Sequence, residues 1–237
     1  MKPRRIAGRE CTRTGNHLSI CVHLRSRCVR SAFAAFFVLF AAASLPAADR
    51  SPRIVFTRSF PGSMPPYFEI SIDRSGEASY KESADDDPET FKLNAPSTAV
   101  IFDLAAKLGH FKRPVESGMK VANMGVKTFR WEDGEESNQV KFNYSLDENA
   151  RALHDWFERI AESERTFIVL RRAARHDRLG VNDAVVSVQS LWEHGRLASP
   201  EQFLPLLDQI SGNEVYMHMA RERAAGIADA IRARQRP

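Results

Sequence analysis

The chain of 237 residues has only three cysteines, Cys11, Cys21 and Cys28, and none after the first 28 positions. From Val29 onward there is no thiol, which excludes structural disulfides, cysteine nucleophiles and thiolate zinc or iron–sulfur sites in that part. No glycine cluster follows a strand and opens a helix, so phosphate-loop and dinucleotide sites lack their parts. There is no Gly-x-Ser-x-Gly elbow, since Ser63 in Gly62-Ser63-Met64 sits in a proline-rich stretch. The five histidines beyond residue 48 (His110, His154, His176, His194 and His218) include no pair spaced four apart, the spacing that turns two imidazoles toward one zinc. The longest apolar run has twelve residues, Ala32 to Ala43. A membrane span needs roughly 18.

Charge is unevenly spread. Residues 1–48 carry eight Lys or Arg against Glu10 alone, a net of +7, whereas the remaining 189 residues carry 26 basic and 29 acidic groups, a net of −3. The overall +4 is therefore no sign of nucleic-acid binding. A basic stretch ending at Arg30, the twelve apolar residues and the small-residue exit Pro46-Ala47-Ala48 have the layout of an export signal, cleaved near Ala47 or Ala48. The alternative is an uncleaved inner-membrane anchor formed by residues 32–45. Either way the rest of the chain is expected to be extracytoplasmic, in the periplasm or secreted, touching a membrane only through this first segment. No cysteine follows the apolar run to take a lipid.

Residues 49–176 are expected to form an α+β domain and residues 177–237 a small helical module. Ile54 to Arg58 is a β-like run. Tyr67 to Asp73 alternates cleanly, with Phe68, Ile70 and Ile72 on one side, and returns through Arg74-Ser75-Gly76 into Glu77 to Glu82, a β-hairpin. A short Phe91 to Leu93 strand leads to Pro96-Ser97-Thr98, a helix start, and Ile101, Leu104, Ala105 and Leu108 recur at helical spacing until Gly109 closes the helix in left-handed conformation. His110, beside that end, is positioned to meet the negative pole of the helix. Lys127 to Glu132 and Gln139 to Tyr144 make a second hairpin, and Ser145 with Glu148 has capping-box spacing for a long helix to His176. Trp131 and Trp156 fall on apolar faces and are expected in the core. His154 and His176 are expected at the surface. In the module, Asn182 and Ser199-Pro200 are the expected helix starts, and a last helix runs from about Glu214 to Arg234.

This order predicts an antiparallel sheet of four to five strands, with two helices on its apolar face and the other face polar. Pro66-Tyr67, the alternating strand, Ser75-Gly76 and the returning Tyr80, followed by helix, hairpin and helix, resemble small uncharacterised domains of exported bacterial proteins over residues 52 to 162. The resemblance implies an α+β fold and an envelope address but no activity. The cysteines such domains carry near the first strand are missing here.

No metal site and no cofactor is expected. Asp85, Asp86, Asp87 and Glu89 lack the alternating order of a calcium loop and read as a solvated turn. Arg171, Arg172, Arg175 and Arg178 close a helix that Asp147 and Glu148 open, the polarity its dipole favours. The expected function is a non-catalytic module for an envelope protein or peptide. Its candidate binding residues are Tyr67, Glu69, Lys81, Arg130 and Lys141 on the polar sheet face; the long Lys112 to Val126 connection, of a length that is either functional or mobile in compact domains, and the helical tail are the other candidate surfaces. The alternative is a hydrolase or glycan-active enzyme whose site assembles from distant residues, a histidine between two carboxylates.

Overall fold

A computed structural model describes residues 51–235 of the chain. The export signal, its cleavage point and the anchor of residues 32–45 lie outside the described residues. Among the described residues no helix is long and apolar enough to cross a membrane.

The protein is α+β. Six antiparallel strands form one sheet: β1 (Arg53–Ser59), β2 (Tyr67–Asp73), β3 (Glu77–Lys81), β4 (Glu89–Lys92), β5 (Val126–Asp133) and β6 (Glu136–Phe142), in the order β4-β3-β2-β1-β5-β6. Six strands replace the four to five expected, because β1 joins the two hairpins from the middle and β4 extends the first at the edge. β1 pairs along its whole length with both neighbours, Phe56 standing opposite Ile70 on β2 and Phe129 on β5.

Strand parity separates the faces. Ile54, Phe56, Phe68, Ile70, Ile72, Ala78, Tyr80, Phe129, Trp131, Val140 and Phe142 enter one core with α1 (Ala95–Lys107) and the first half of α2 (Glu148–His176). Phe56 is its centre, stacked on Phe157 of α2 with centroids 4.8 Å apart and flanked by Phe68 and Phe129. A second core gathers Leu170 and Ala173 of the same α2 with α3 (Val181–Glu193), α4 (Leu204–Gly212) and α5 (His218–Gln235). The change of partner therefore falls within α2, between Ala161 and Leu170, with Phe167 against the second core and Ile168 still against the first. Arg196 fastens the segment after α3 onto α2 through Glu162 and Asp155, and Ser163 Oγ accepts the Ala198 N–H at 2.8 Å.

Helix starts differ from the expected ones. Asn94 caps α1 by accepting the Ser97 N–H. Asp147, not Ser145, caps α2 through Asn149 and Ala150, and Ser145 Oγ instead accepts the Asp147 N–H. Asn182 lies inside α3, after Gly180, where its side chain accepts from Arg223. Ser199 caps nothing, and a tight turn over Pro200–Phe203 precedes α4. The capping-box spacing misled because several polar residues compete at each boundary, and tertiary packing chooses among them.

His110 is not a simple partner of the helix pole. Gly109, His110 and Phe111 all have left-handed φ angles of 63°, 51° and 63°. For His110 and Phe111 this costs roughly 1–2 kcal/mol each. Ring stacking offsets the cost, since the turn lays His110 on Trp131 (4.2 Å between centroids) and Phe111 on Phe129 (5.2 Å), two inward residues of β5.

Candidate functional site

The polar sheet face is built by register. One row runs Lys81, Glu69, Thr57, Thr128, Lys141 across five strands, and the next runs Thr90, Ser79, Ser71, Val55, Arg130, Gln139 across all six. Tyr67 opens β2 at one end of this face, opposite Ser59, which in turn faces Val126. The five candidate residues thus share a face, but they do not converge on one point. Tyr67 Oη donates to Glu69 Oε2 at 3.0 Å, and Glu69 Oε1 lies 3.4 Å from Lys81 Nζ. Arg130 Nε lies 2.9 Å from Glu132 on its own strand. Lys141 is exposed, with no acidic partner among the described residues.

The Tyr67–Glu69–Lys81 chain is half-buried. Burial first, and then the neighbouring Glu69 carboxylate, push the Tyr67 phenol up to about 12, against the opposing pull of Arg130. The phenol therefore stays protonated and acts as a donor, not as a base. Val55, an apolar residue in the middle of this polar face, is only 3% exposed.

The connection from Lys112 to Gly125 is irregular yet tied down. Glu116 Oε2 accepts the Asn143 N–H at 2.6 Å, the Ser117 N–H bonds Tyr144 O at 2.8 Å, and Asn143 reaches both Ala122 O (2.9 Å) and the Met124 N–H (2.7 Å). The Asn143 N–H and the Ser117 donors hold the Glu116 carboxyl below its usual range. Asn143, on the polar parity of its hairpin, is thus occupied as a loop anchor. Gly125 meets the neighbouring Phe60–Pro66 loop: at φ +88° it lies so close that a Cβ would stand 2.7 Å from Phe60 Cβ. Around this end of the sheet Met64, Met119, Met124 and Val126 are each at least half exposed.

Strand parity also places two charged groups on the apolar side of the sheet, where the sequence reading expects none. Arg58 and Lys127 stand opposite each other in phase with Phe56 and Phe129, on the helix side of the sheet. Arg58 Nη1 donates to Glu158 Oε2 of α2 at 2.9 Å, and His154 Nε2 lies 3.1 Å from Glu158 Oε1. Lys127 Nζ donates to Asn143 O and Met124 O. Burial lowers the Lys127 pKa, with Arg58 adding to it. Burial alone would raise the Glu158 carboxyl, but His154 and Arg58 outweigh it and the net direction is down. His154 is accordingly not an ordinary surface histidine: it lies edge-on to Phe56 and Phe142, at the rim of the core. Among the described residues it meets one carboxylate, Glu158, where the alternative enzyme site expected from the sequence has two. Among the described residues no three metal-type side chains converge.

The arginines of α2 also depart from expectation. Arg171 does not simply close its helix but forks onto both oxygens of Glu89 on β4, pulling that carboxyl down. Asp85, Asp86 and Asp87 are exposed.

No protein-family model matches the chain. Neither does any curated protein show significant sequence similarity to it.

Proposed function

We propose that the chain works, after export, as a non-catalytic module that binds a protein or peptide of the cell envelope at the corner of the sheet where Tyr67 borders two methionine-bearing loops. The observation that carries this reading is the exposure of Met64, Met119, Met124 and Val126 from loops that meet at Phe60 and Gly125. Exposed apolar side chains grouped beside a polar rim are the usual composition of a recognition surface, and methionine adapts its shape to a partner. Glu69, Lys81, Arg130 and Lys141 form the rim on the sheet side, where they discriminate between partners by charge. The loop is ordered before binding by Glu116 and Asn143, which lowers the entropic cost of association.

The test is site-specific photo-crosslinking in intact cells, with a benzophenone amino acid at Met119 or Met124 and, as control, at the exposed Val186 of α3. The expected result is one discrete adduct from the loop positions and none from Val186. Equal labelling from all three positions overturns the reading. The export half is checked on the same material: the recovered protein is expected in an extracytoplasmic fraction with its N-terminus near Ala47 or Ala48, and intact chain in the cytosol refutes it.

A further inference from the structure

We infer that a crevice between α1, α2 and the C-terminal end of α5 is a binding site for a small oxyanion, a ligand carrying a phosphate or carboxylate group. Its volume is about 260 Å³, and its walls include Trp156 and Arg159 of α2, Trp192 of α3, Arg234 of α5 and the first turn of α1.

Two guanidinium groups line this crevice, and each sits over an indole ring. Arg159 lies over Trp156 at 4.4 Å from the ring centroid, and Arg234 over Trp192 at 4.3 Å. Each indole belongs to a different core: Trp156 packs against the sheet core and Trp192 against the helical one. The rings are thereby fixed from behind, and they fix the guanidiniums in front. A guanidinium held over an aromatic ring has already given up part of its freedom, so less is lost when its N–H fork takes up an oxyanion.

Neither arginine has an acidic partner within ion-pair distance among the described residues, so both guanidiniums are open to an anion. Arg159 spends one nitrogen on Gly195 O at 2.7 Å, and its Nε is buried without any hydrogen-bond partner. Asn94 and Ser97 of the α1 N-terminus lie on the wall, and because Asn94 already accepts the Ser97 N–H and Pro96 has none, that helix end contributes its dipole and not a free donor set. Glu201 is the single acidic residue on the wall, so the positive groups prevail. The volume suits a phosphate or a short dicarboxylate, not a polymer.

The tryptophans make the test direct. Trp156 and Trp192 line the crevice, whereas Trp131 is buried in the sheet core. Indole emission of the purified full-length protein is titrated with sodium phosphate and, separately, with sodium succinate, each against sodium chloride at matched ionic strength. A saturable change with phosphate, succinate or both, absent with chloride, is the expected result, and the better of the two identifies the anion class. R234Q is expected to weaken that titration about tenfold. Arg234 makes no hydrogen bond among the described residues, so R234Q should keep the parent circular dichroism and melting temperature. R159Q should weaken binding as well. A response equal to that of chloride, or R234Q and R159Q proteins that titrate like the parent, overturns the proposal.

Discussion

Gln202 Nε2 donates to Glu164 Oε1 at 2.6 Å, tying the turn before α4 to the middle of α2 across 38 residues of sequence. Glu164 is only 2% exposed and has no salt-bridge partner among the described residues. The nearest strong cation, Arg171, is committed to Glu89, and Glu89 itself repels a second negative charge. The folded carboxyl therefore holds its proton to a higher pH than a free one does.

A pH dependence follows from this burial. Burial pushes the Glu164 carboxyl from 4.5 up to about 7, Gln202 and Arg171 opposing and Glu89 reinforcing. The folded protein retains a proton that the unfolded chain releases above about pH 4.5, so stability falls as pH rises and the full loss is reached above about pH 7. Its size is roughly 3 kcal/mol. Thermal melts from pH 4.5 to 8 should show the parent losing melting temperature across this window relative to E164Q, which cannot ionise and still bonds Gln202. The two should coincide at pH 4.5 and be furthest apart at pH 8. Parallel curves would mean that Glu164 does not titrate there.

The Arg58–Glu158 pair connects the end of the central strand to α2 across 100 residues, and both side chains are about four-fifths buried. Removing one partner leaves the other half-desolvated and unmatched, so R58M and E158M should each cost about 1–3 kcal/mol in urea unfolding. The double variant should cost clearly less than the two added, a coupling of about 1 kcal/mol. Lys127 sets a further sign. With Arg58 gone its own charge is less opposed, so the R58M loss should be smaller than that of E158M, which leaves Arg58 and Lys127 facing each other. Strict additivity in the cycle would show that the pair contributes nothing.

Period-two alternation in Tyr67 to Asp73 and the turn at Arg74 to Gly76 fixed the first hairpin from neighbours in sequence, and the same local signals placed the second hairpin and the span of α2. The polar face carrying Tyr67, Glu69, Lys81, Arg130 and Lys141 also follows from parity alone. The central place of β1 did not, because a strand's neighbours are chosen by pairs such as Phe56 with Phe129, 73 positions apart, for which no local pattern exists. Nor did the partnership of Arg171 with Glu89, since a basic run at a helix end has a sufficient local explanation in the dipole. Glu164 was visible in principle: it follows Phe157 and Ile160 at helical spacing on the buried side of α2. A charged residue on an apolar stripe marks the place where a long-range partner must be sought. The Arg159–Trp156 and Arg234–Trp192 pairs gave only half a signal, because the crevice they share exists only once α5 has folded back against α2 and α3.

The last prediction concerns the loop on which the proposed recognition surface depends. Glu116 takes the outward N–H of Asn143, where the second hairpin ends, and Asn143 in turn holds the later part of the loop at Ala122 and Met124. Glu116 itself is exposed, so E116A creates no cavity and should leave the melting temperature nearly unchanged. What it removes is the acceptor that fixes the loop to the sheet. Segments held by few exposed hydrogen bonds open at low free energy, and their opening controls both proteolysis and amide exchange. Trypsin should therefore cut at Lys120 severalfold faster in E116A than in the parent or in E135A, a control at the exposed hairpin tip, and the Asn143 amide should exchange correspondingly faster. If the methionines of this loop recognise a partner as a preformed surface, E116A should also weaken the crosslink from Met119 while E135A leaves it intact. Faster cleavage with an undiminished crosslink would show that the loop is anchored as described but that its order is not what the partner requires.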